Sequence, residues 1–167
     1  MTFGLELESC RGVVVATVVT LTAGAFLAPS ASAQTRKEVA APITNLPAGT
    51  SAAVWAGSTL YVSGSLDPDL KSHPDTESQT VGVLKFLQQV LESQKLTLGN
   101  VAMVRVYLGA DPAKGGKMDF AGMMAGYTQF FGTKAQPNKP ARTTVQVVLP
   151  AGERGALVEI DLIAVRP

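Results

Sequence analysis

Cysteine and histidine are almost missing from this chain of 167 residues: each occurs once, as Cys10 and His73. A lone cysteine forms no internal disulfide, and one cysteine with one histidine cannot supply the ligands of a Cys/His zinc site. A Ser-His-Asp or Cys-His catalytic arrangement would have to run through His73. That residue stands in the polar stretch SLDPDLKSHPDT and reads as a solvated loop histidine. Charge is scarce as well. With 14 Lys and Arg against 13 Asp and Glu, the net charge is +1 and there is no basic tract, so the electrostatic footprint of a nucleic-acid binder is lacking. The length suits one domain.

What the chain does have is hydrophobicity, 46% of its residues, and part of that is concentrated near the start. Gly12 to Ala28 is an apolar run without a charge, followed by PSASAQ, where Ala31 and Ala33 form an A-x-A cleavage pattern. Residues 1–33 therefore read as a secretory signal peptide, with Gln34 starting a secreted or periplasmic mature chain. The segment before the run lacks the usual positive excess, since Glu6 and Glu8 oppose Arg11. An N-terminal membrane anchor is the alternative, although a run of about 17 residues is short for a bilayer span. Cleavage would remove Cys10, one basic and two acidic residues, leaving 134 residues at net charge +2 and no membrane-associating segment.

A polar lead, residues 34–46, precedes a domain over 47–167. In it AAVWAGSTLYVSGSL predicts two strands meeting at Ala56-Gly57-Ser58. A Pro/Asp-rich loop follows. Thr76 and Gln79 resemble a capping box opening a helix to about Lys95, with Val83, Leu84, Leu87, Val90 and Leu91 on its buried face. VAMVRVYL, residues 101–108, alternates as a strand does. A second helix is predicted over 117–131, its Phe120, Met123, Met124, Tyr127 and Phe131 forming a core stripe. Residues 141–149 and 156–166 predict two closing strands joined as a hairpin. The order gives an α+β domain, a mixed sheet with two helices on one face.

Period-2 alternation divides the closing strands. It is expected to place Thr143, Val145, Val147 and Leu149 toward the helices and Arg142, Thr144, Gln146 and Val148 away from them. On the last strand Val158, Ile160 and Leu162 are expected inside, with Glu159, Asp161 and Ile163 on the far side. A mixed face carrying Arg142, Thr144, Gln146, Glu159 and Asp161 is either solvated or partly buried against another subunit. In the second case a guanidinium with carboxylates in a partly dry cleft suits a small acid, because Arg offers two parallel donors to a carboxylate.

PARTTVQVVLPA and LVEIDLIAV, within 140–165, resemble the C-terminal signature of the RidA/YjgF/UK114 reactive-intermediate deaminase family, also called endoribonuclease L-PSP. LYVSGSL, LGNVAMVRVYL and DFAGMMAGYTQFFG are similar to other segments of the family. The resemblance spans about Leu46 to Arg166. It implies a chorismate-mutase-like (YjgF-like) fold, a homotrimer with a central barrel, and clefts between subunits. It further implies hydrolysis of 2-imino acids to 2-keto acids and ammonia without metal or organic cofactor. By the same resemblance Arg142 holds the substrate carboxylate, Glu159 positions water, and Ser63, Gly64 and Thr144 line the site, Thr144 standing where cysteine is common. An iminium carbon is already electrophilic, so holding the carboxylate, placing a water and moving a proton are the main tasks.

Three positions depart from the family pattern: Thr50 where an aromatic Tyr is usual, Met124 where Asn is common, and Ser65 where the family has Gln. All three bear on the substrate side chain. These departures and the expected export also fit a second reading, a non-catalytic trimer binding small carboxylates or other metabolites. The older ribonuclease label fits poorly with a near-neutral chain that has a single histidine.

Overall fold

In the sequence VEIDLIAV every second residue is apolar, and in the computed structural model Val158, Ile160, Leu162 and Ala164 are all buried. The structure describes residues 35–39, 48–150 and 155–167, so the expected leader, 1–33, lies outside the described residues. The strands are β1 (Arg36–Val39), β2 (Ala53–Ala56), β3 (Thr59–Leu66), β4 (Val101–Leu108), β5 (Ala141–Gln146) and β6 (Val158–Val165). Helix α1 (Thr76–Ser93) lies between β3 and β4, and α2 (Phe120–Tyr127) between β4 and β5. The six strands form one sheet in the order β1-β2-β3-β6-β4-β5, with β4 and β5 parallel and every other pair antiparallel. Among the described residues no helix is long and apolar enough to cross a membrane.

Three expectations change, and the segment read as a polar lead, 34–46, contributes the edge strand β1 paired with β2. The closing strands do not form a hairpin. β6 runs between β3 and β4, while β5 pairs in parallel with the far edge of β4. Their burial explains the placement: alternate β6 residues are fully buried, as a strand with two neighbours requires, whereas β5 has no buried residue and suits an edge. The parallel pair needs a crossover, and α2 provides it. Second, α2 is shorter than the predicted 117–131. Asp119 caps it by accepting from the Gly122 amide at 3.0 Å, and Thr128 ends it. Third, α1 is capped by Asp75 with Ser78 rather than by Thr76 with Gln79.

Gln79 instead is buried and joins two loops to the sheet. Its amide nitrogen donates to the carbonyls of His73 and Gly155, and its oxygen accepts from the Leu157 amide. His73 is likewise more than a solvated loop residue, because its Nδ1 meets the buried Asp67 carboxylate.

Val83, Leu84, Leu87, Val90 and Leu91 of α1 pack on Leu60, Val104, Val106, Ile160 and Leu162 of the sheet. The two helices lie close together because Gly126 has no side chain: a Cβ there would stand 2.8 Å from both the Glu77 carbonyl oxygen and the Thr80 Cβ. Ala is the better helix former by about 1 kcal/mol. The overlap with α1 backbone outweighs that gain, so Gly126→Ala is expected to destabilise the domain by about 1–3 kcal/mol. Chemical denaturation of the variant beside the parent checks this, and equal midpoints would refute it.

Candidate functional site: two half-sites on opposite faces of the sheet

Residues paired across a ladder share a face of the sheet. Val104, Val106 and Leu108 of β4 are buried beneath the helices, and their partners on β5 are Arg142, Thr144 and Gln146. Glu159 and Asp161 of β6 pair with Tyr107 and Arg105 of β4 and therefore face the other way. The expected common face carrying Arg142 and Glu159 is thus corrected: β5 turns Arg142, Thr144 and Gln146 to the helix side. As an edge strand it lies at the rim of the helical layer, so a helix-side residue there meets the flank of α2 rather than the core.

That flank makes an unusual setting for an arginine. The Arg142 guanidinium lies over the Tyr127 ring, 4.6 Å from its centre, and 5.9 Å from the centre of the Phe120 ring. Tyr127 is itself buried and stacked on Phe131 at 4.9 Å. Burial pushes the Tyr127 hydroxyl above its usual pKa, and the Arg142 charge opposes that shift. Nη1 of Arg142 donates to the Met124 sulfur at 3.0 Å, a weak acceptor. Among the described residues no oxygen acceptor reaches this guanidinium. The ring contacts place the charge and leave most of its N–H donors for something else. Thr144, two residues along the same face, has a buried hydroxyl with no hydrogen-bond partner. Gln146 is already committed, donating to the Gly116 carbonyl and accepting from the Met118 amide.

The second half-site lies on the uncovered face. Glu159 is half-buried, and its carboxyl is raised above the ordinary carboxylate pKa, first by desolvation and then by the Asp161 charge. It reaches against Gly64, where a Cβ would overlap its Oε1, so only glycine lets the carboxyl sit there. The ladder is irregular between Val62 and Ser65, which is what brings Gly64 toward β6. Ser63 donates through its hydroxyl to the Ser51 carbonyl at 2.7 Å, and its amide donates to the Ala52 carbonyl. That arrangement lays the exposed Thr50 and its neighbours alongside Ser63. Ser65 is buried, and its hydroxyl donates to the Ser63 carbonyl. Asp161 accepts from Arg105 Nε at 2.7 Å and from the Tyr107 hydroxyl at 3.0 Å. Both of its oxygens are engaged, which gives it a structural role.

The sequence-predicted residues therefore fall into two groups, Arg142, Thr144 and Met124 beside α2 and Glu159, Ser63 and Gly64 on the opposite side, with the exposed Thr50 next in the chain to Ser51, whose carbonyl Ser63 bonds. Phe120 and Tyr127, read from sequence as core, are the rings that position Arg142. Their spacing with an arginine on the next strand was the only available signal, and it is shared with ordinary core stripes. Tyr61 and Val145, 47% and 40% exposed, stand on the uncovered face with Glu159. A separate open groove of about 530 Å³, lined by Gln88, Glu92, Leu98, Gln129 and Phe130 among others, contains neither Arg142 nor Glu159. Among the described residues no group of three or more His, Cys, Asp or Glu side chains is placed to hold a metal ion.

These features define a small α+β domain whose described helices cover one side of the sheet and whose edge carries an arginine without a carboxylate partner among the described residues. Residues 43–166 match the family model described as Endoribonuclease L-PSP, and the chain belongs to that family, the RidA/YjgF proteins. A RutC family protein of Saccharolobus solfataricus is 37% identical over 116 residues, covering 66% of this chain and 82% of that protein. The solved structure of yeast Mmf1 is 29% identical, with a TM-score of 0.63 over 80% of this chain and 100% of Mmf1. That of Escherichia coli TdcF with bound serine is 28% identical, with a TM-score of 0.61 over 76% of this chain and 94% of TdcF. A protein of unknown function of the conserved Rid family from Yersinia pestis has 26% identity and a TM-score of 0.62, covering 79% and 100%.

Proposed function

We propose that this protein is an enamine/imine deaminase, hydrolysing 2-imino acids to 2-keto acids and ammonia in clefts formed between copies of the chain. The observation that carries the proposal is the Arg142 guanidinium, held by rings and a thioether with no oxygen acceptor among the described residues. Such a group is a ready receptor for a carboxylate. Glu159, with its raised pKa, is the group assigned to place and deprotonate water. Attack of that water on the iminium carbon forms the C–O bond, and collapse of the resulting carbinolamine expels ammonia. Structural likeness to TdcF, whose structure contains serine, supports a ligand that bears a carboxylate.

Arg142 and Glu159 face opposite sides of the same sheet, so a single copy cannot close both on one small molecule. Two copies can, if the helix-side rim of one meets the uncovered face of the next. The exposed Tyr61 and Val145 on that face favour coverage by a partner, and a ring of three copies gives every cleft one Arg142 and one Glu159. We also assign residues 1–33 as a cleaved leader that exports the protein. N-terminal sequencing of the secreted or periplasmic form is expected to begin at Gln34, and a retained Met1 would overturn that assignment.

Subunit mixing tests the site. Arg142→Ala and Glu159→Ala chains are each expected to keep at most a few per cent of parental activity on freshly generated 2-iminopropanoate. Unfolded together in equal amounts and refolded, they are expected to regain about a quarter of parental activity, since random assembly places an intact Arg142 opposite an intact Glu159 in one cleft in four. No recovery in a correctly assembled mixture would refute the shared cleft. No hydrolysis by the parent protein would refute the activity. Tight, saturable carboxylate binding without turnover would select the non-catalytic binder, a reading favoured by Met124 in place of the usual polar residue.

A further inference from the structure

We propose that Phe120 and Met124 form an apolar wall that selects substrates with aliphatic or aromatic side chains over small or acidic ones. The inference rests on Arg142 as the carboxylate anchor. In a 2-imino acid the side chain leaves from the carbon next to the carboxylate, so groups flanking the guanidinium also meet the beginning of that side chain.

Those flanking groups are a ring, a ring and a thioether. Tyr127 is buried beneath the guanidinium and acts as its floor. Phe120 and Met124 are one helical turn apart on α2 and make a continuous strip beside it. Phe120 is 44% exposed, an apolar ring left open to water at the edge of an arginine with no oxygen partner among the described residues. Lys114 pairs with Asp119 and Gln146 is bonded to backbone at Gly116 and Met118, while the Thr144 hydroxyl on the same strand face is buried and has no partner among the described residues. Neither Lys114 nor Gln146 is thus free to meet a second carboxylate, while an isobutyl or benzyl group would cover Phe120 and the Met124 methyl. Desolvation of apolar area then favours the larger side chain. Binding of a carboxylate also displaces only the weak thioether acceptor from Nη1, freeing the Met124 side chain to pack on the ligand.

The 2-keto acids are stable probes of this wall because they keep the carboxylate and side chain but do not react. Calorimetric titration of the full assembled protein is expected to show 4-methyl-2-oxopentanoate binding about ten-fold more tightly than pyruvate, the effect of burying roughly half of its three added carbons. 2-Oxoglutarate is expected to gain nothing over pyruvate. Phe120→Ser and Met124→Asn are each expected to lower the ratio of the two affinities toward one. A ratio taken within one variant is insensitive to a general loss of folded sites. A parental ratio near one, or a ratio that neither substitution changes, overturns the wall. If that happens while Arg142→Met still abolishes pyruvate binding, the carboxylate anchor stands and only the selectivity fails. If no keto acid binds the parent, both fail.

Discussion

Replacing Arg142 with methionine is expected to reduce kcat/KM on 2-iminopropanoate by about 30-fold to several thousand-fold, the range for removing one member of a desolvated, hydrogen-bonded charge pair. The substrate loses the fixed cation that holds its carboxylate, and the developing charge is no longer held in register with the attacking water. The fold is expected to tolerate the change. Arg142 is half-buried on an edge strand, donates only to a sulfur, and makes no ion pair among the described residues. The contact with Tyr127 is worth about 1 kcal/mol, and methionine keeps the stem and its packing. Arg142→Lys keeps the charge but not the paired donors, and a single ammonium cannot lie flat on Tyr127. Its activity is therefore expected between the two. Steady-state kinetics with a thermal melt of each variant decides this. Parental kcat/KM in a folded Arg142→Met protein would remove the carboxylate anchor from the mechanism.

Glu159→Gln is the second large effect. A glutamine keeps the shape and the place beside Gly64 but cannot take a proton from water, so kcat is expected to drop about 10²–10⁴-fold. Pyruvate binding, which depends on the Arg142 half, is expected to change little. The pH profile gives an independent reading. Desolvation and the Asp161 charge both disfavour ionised Glu159, so the acid limb of kcat/KM is expected above the ordinary glutamate value of about 4.3. The carboxylate is the active form, and activity is lost as pH falls through the raised pKa. Asp161→Asn removes one like charge and is expected to move the limb to lower pH. An acid limb that stays in place in that variant would show that Glu159 is not the group being titrated.

Stability runs in the opposite direction. A carboxyl whose folded pKa is raised contributes its full stability below the unfolded pKa, and that contribution is lost as pH rises through the folded value. At neutral pH the parent therefore holds an ionised, half-buried carboxylate at a cost that Glu159→Gln relieves. The variant is expected to melt at a slightly higher temperature at pH 7 while losing kcat. A stabilising substitution that removes activity is characteristic of a group kept for chemistry rather than for folding.

Long elements with strong periodicity were legible in the residues alone. The apolar positions of α1 recur every three or four residues, and each one named from the pattern is buried. β6 alternates throughout and β4 from Val104 to Leu108, after a register shift at its start, because both lie in the middle of the sheet with a dry side and a half-wet side. The caps were less legible, since Asp75 and Thr76 both suit an N-cap and only the backbone geometry chooses between them. The short α2 was over-read because Phe131 continues the spacing of Phe120, Met124 and Tyr127 beyond the point where Thr128 ends the helix.

The sequence by itself determined the order of the elements from β2 to β6, the buried stripes, the scarcity of cysteine and histidine, and the family. Only the tertiary structure decided which way β5 faces. Period 2 divides ARTTVQ into two sets but does not say which set is inner when both contain polar and apolar groups, because hydrophobicity cannot set the register of a strand that buries neither face fully. The choice came from neighbours far along the chain. Val104 and Val106 fix the ladder, and the Tyr127 ring with the Met124 sulfur draws the guanidinium toward α2. That turn of one strand separates Arg142 from Glu159, so whether they can act on one substrate depends on a second copy of the chain.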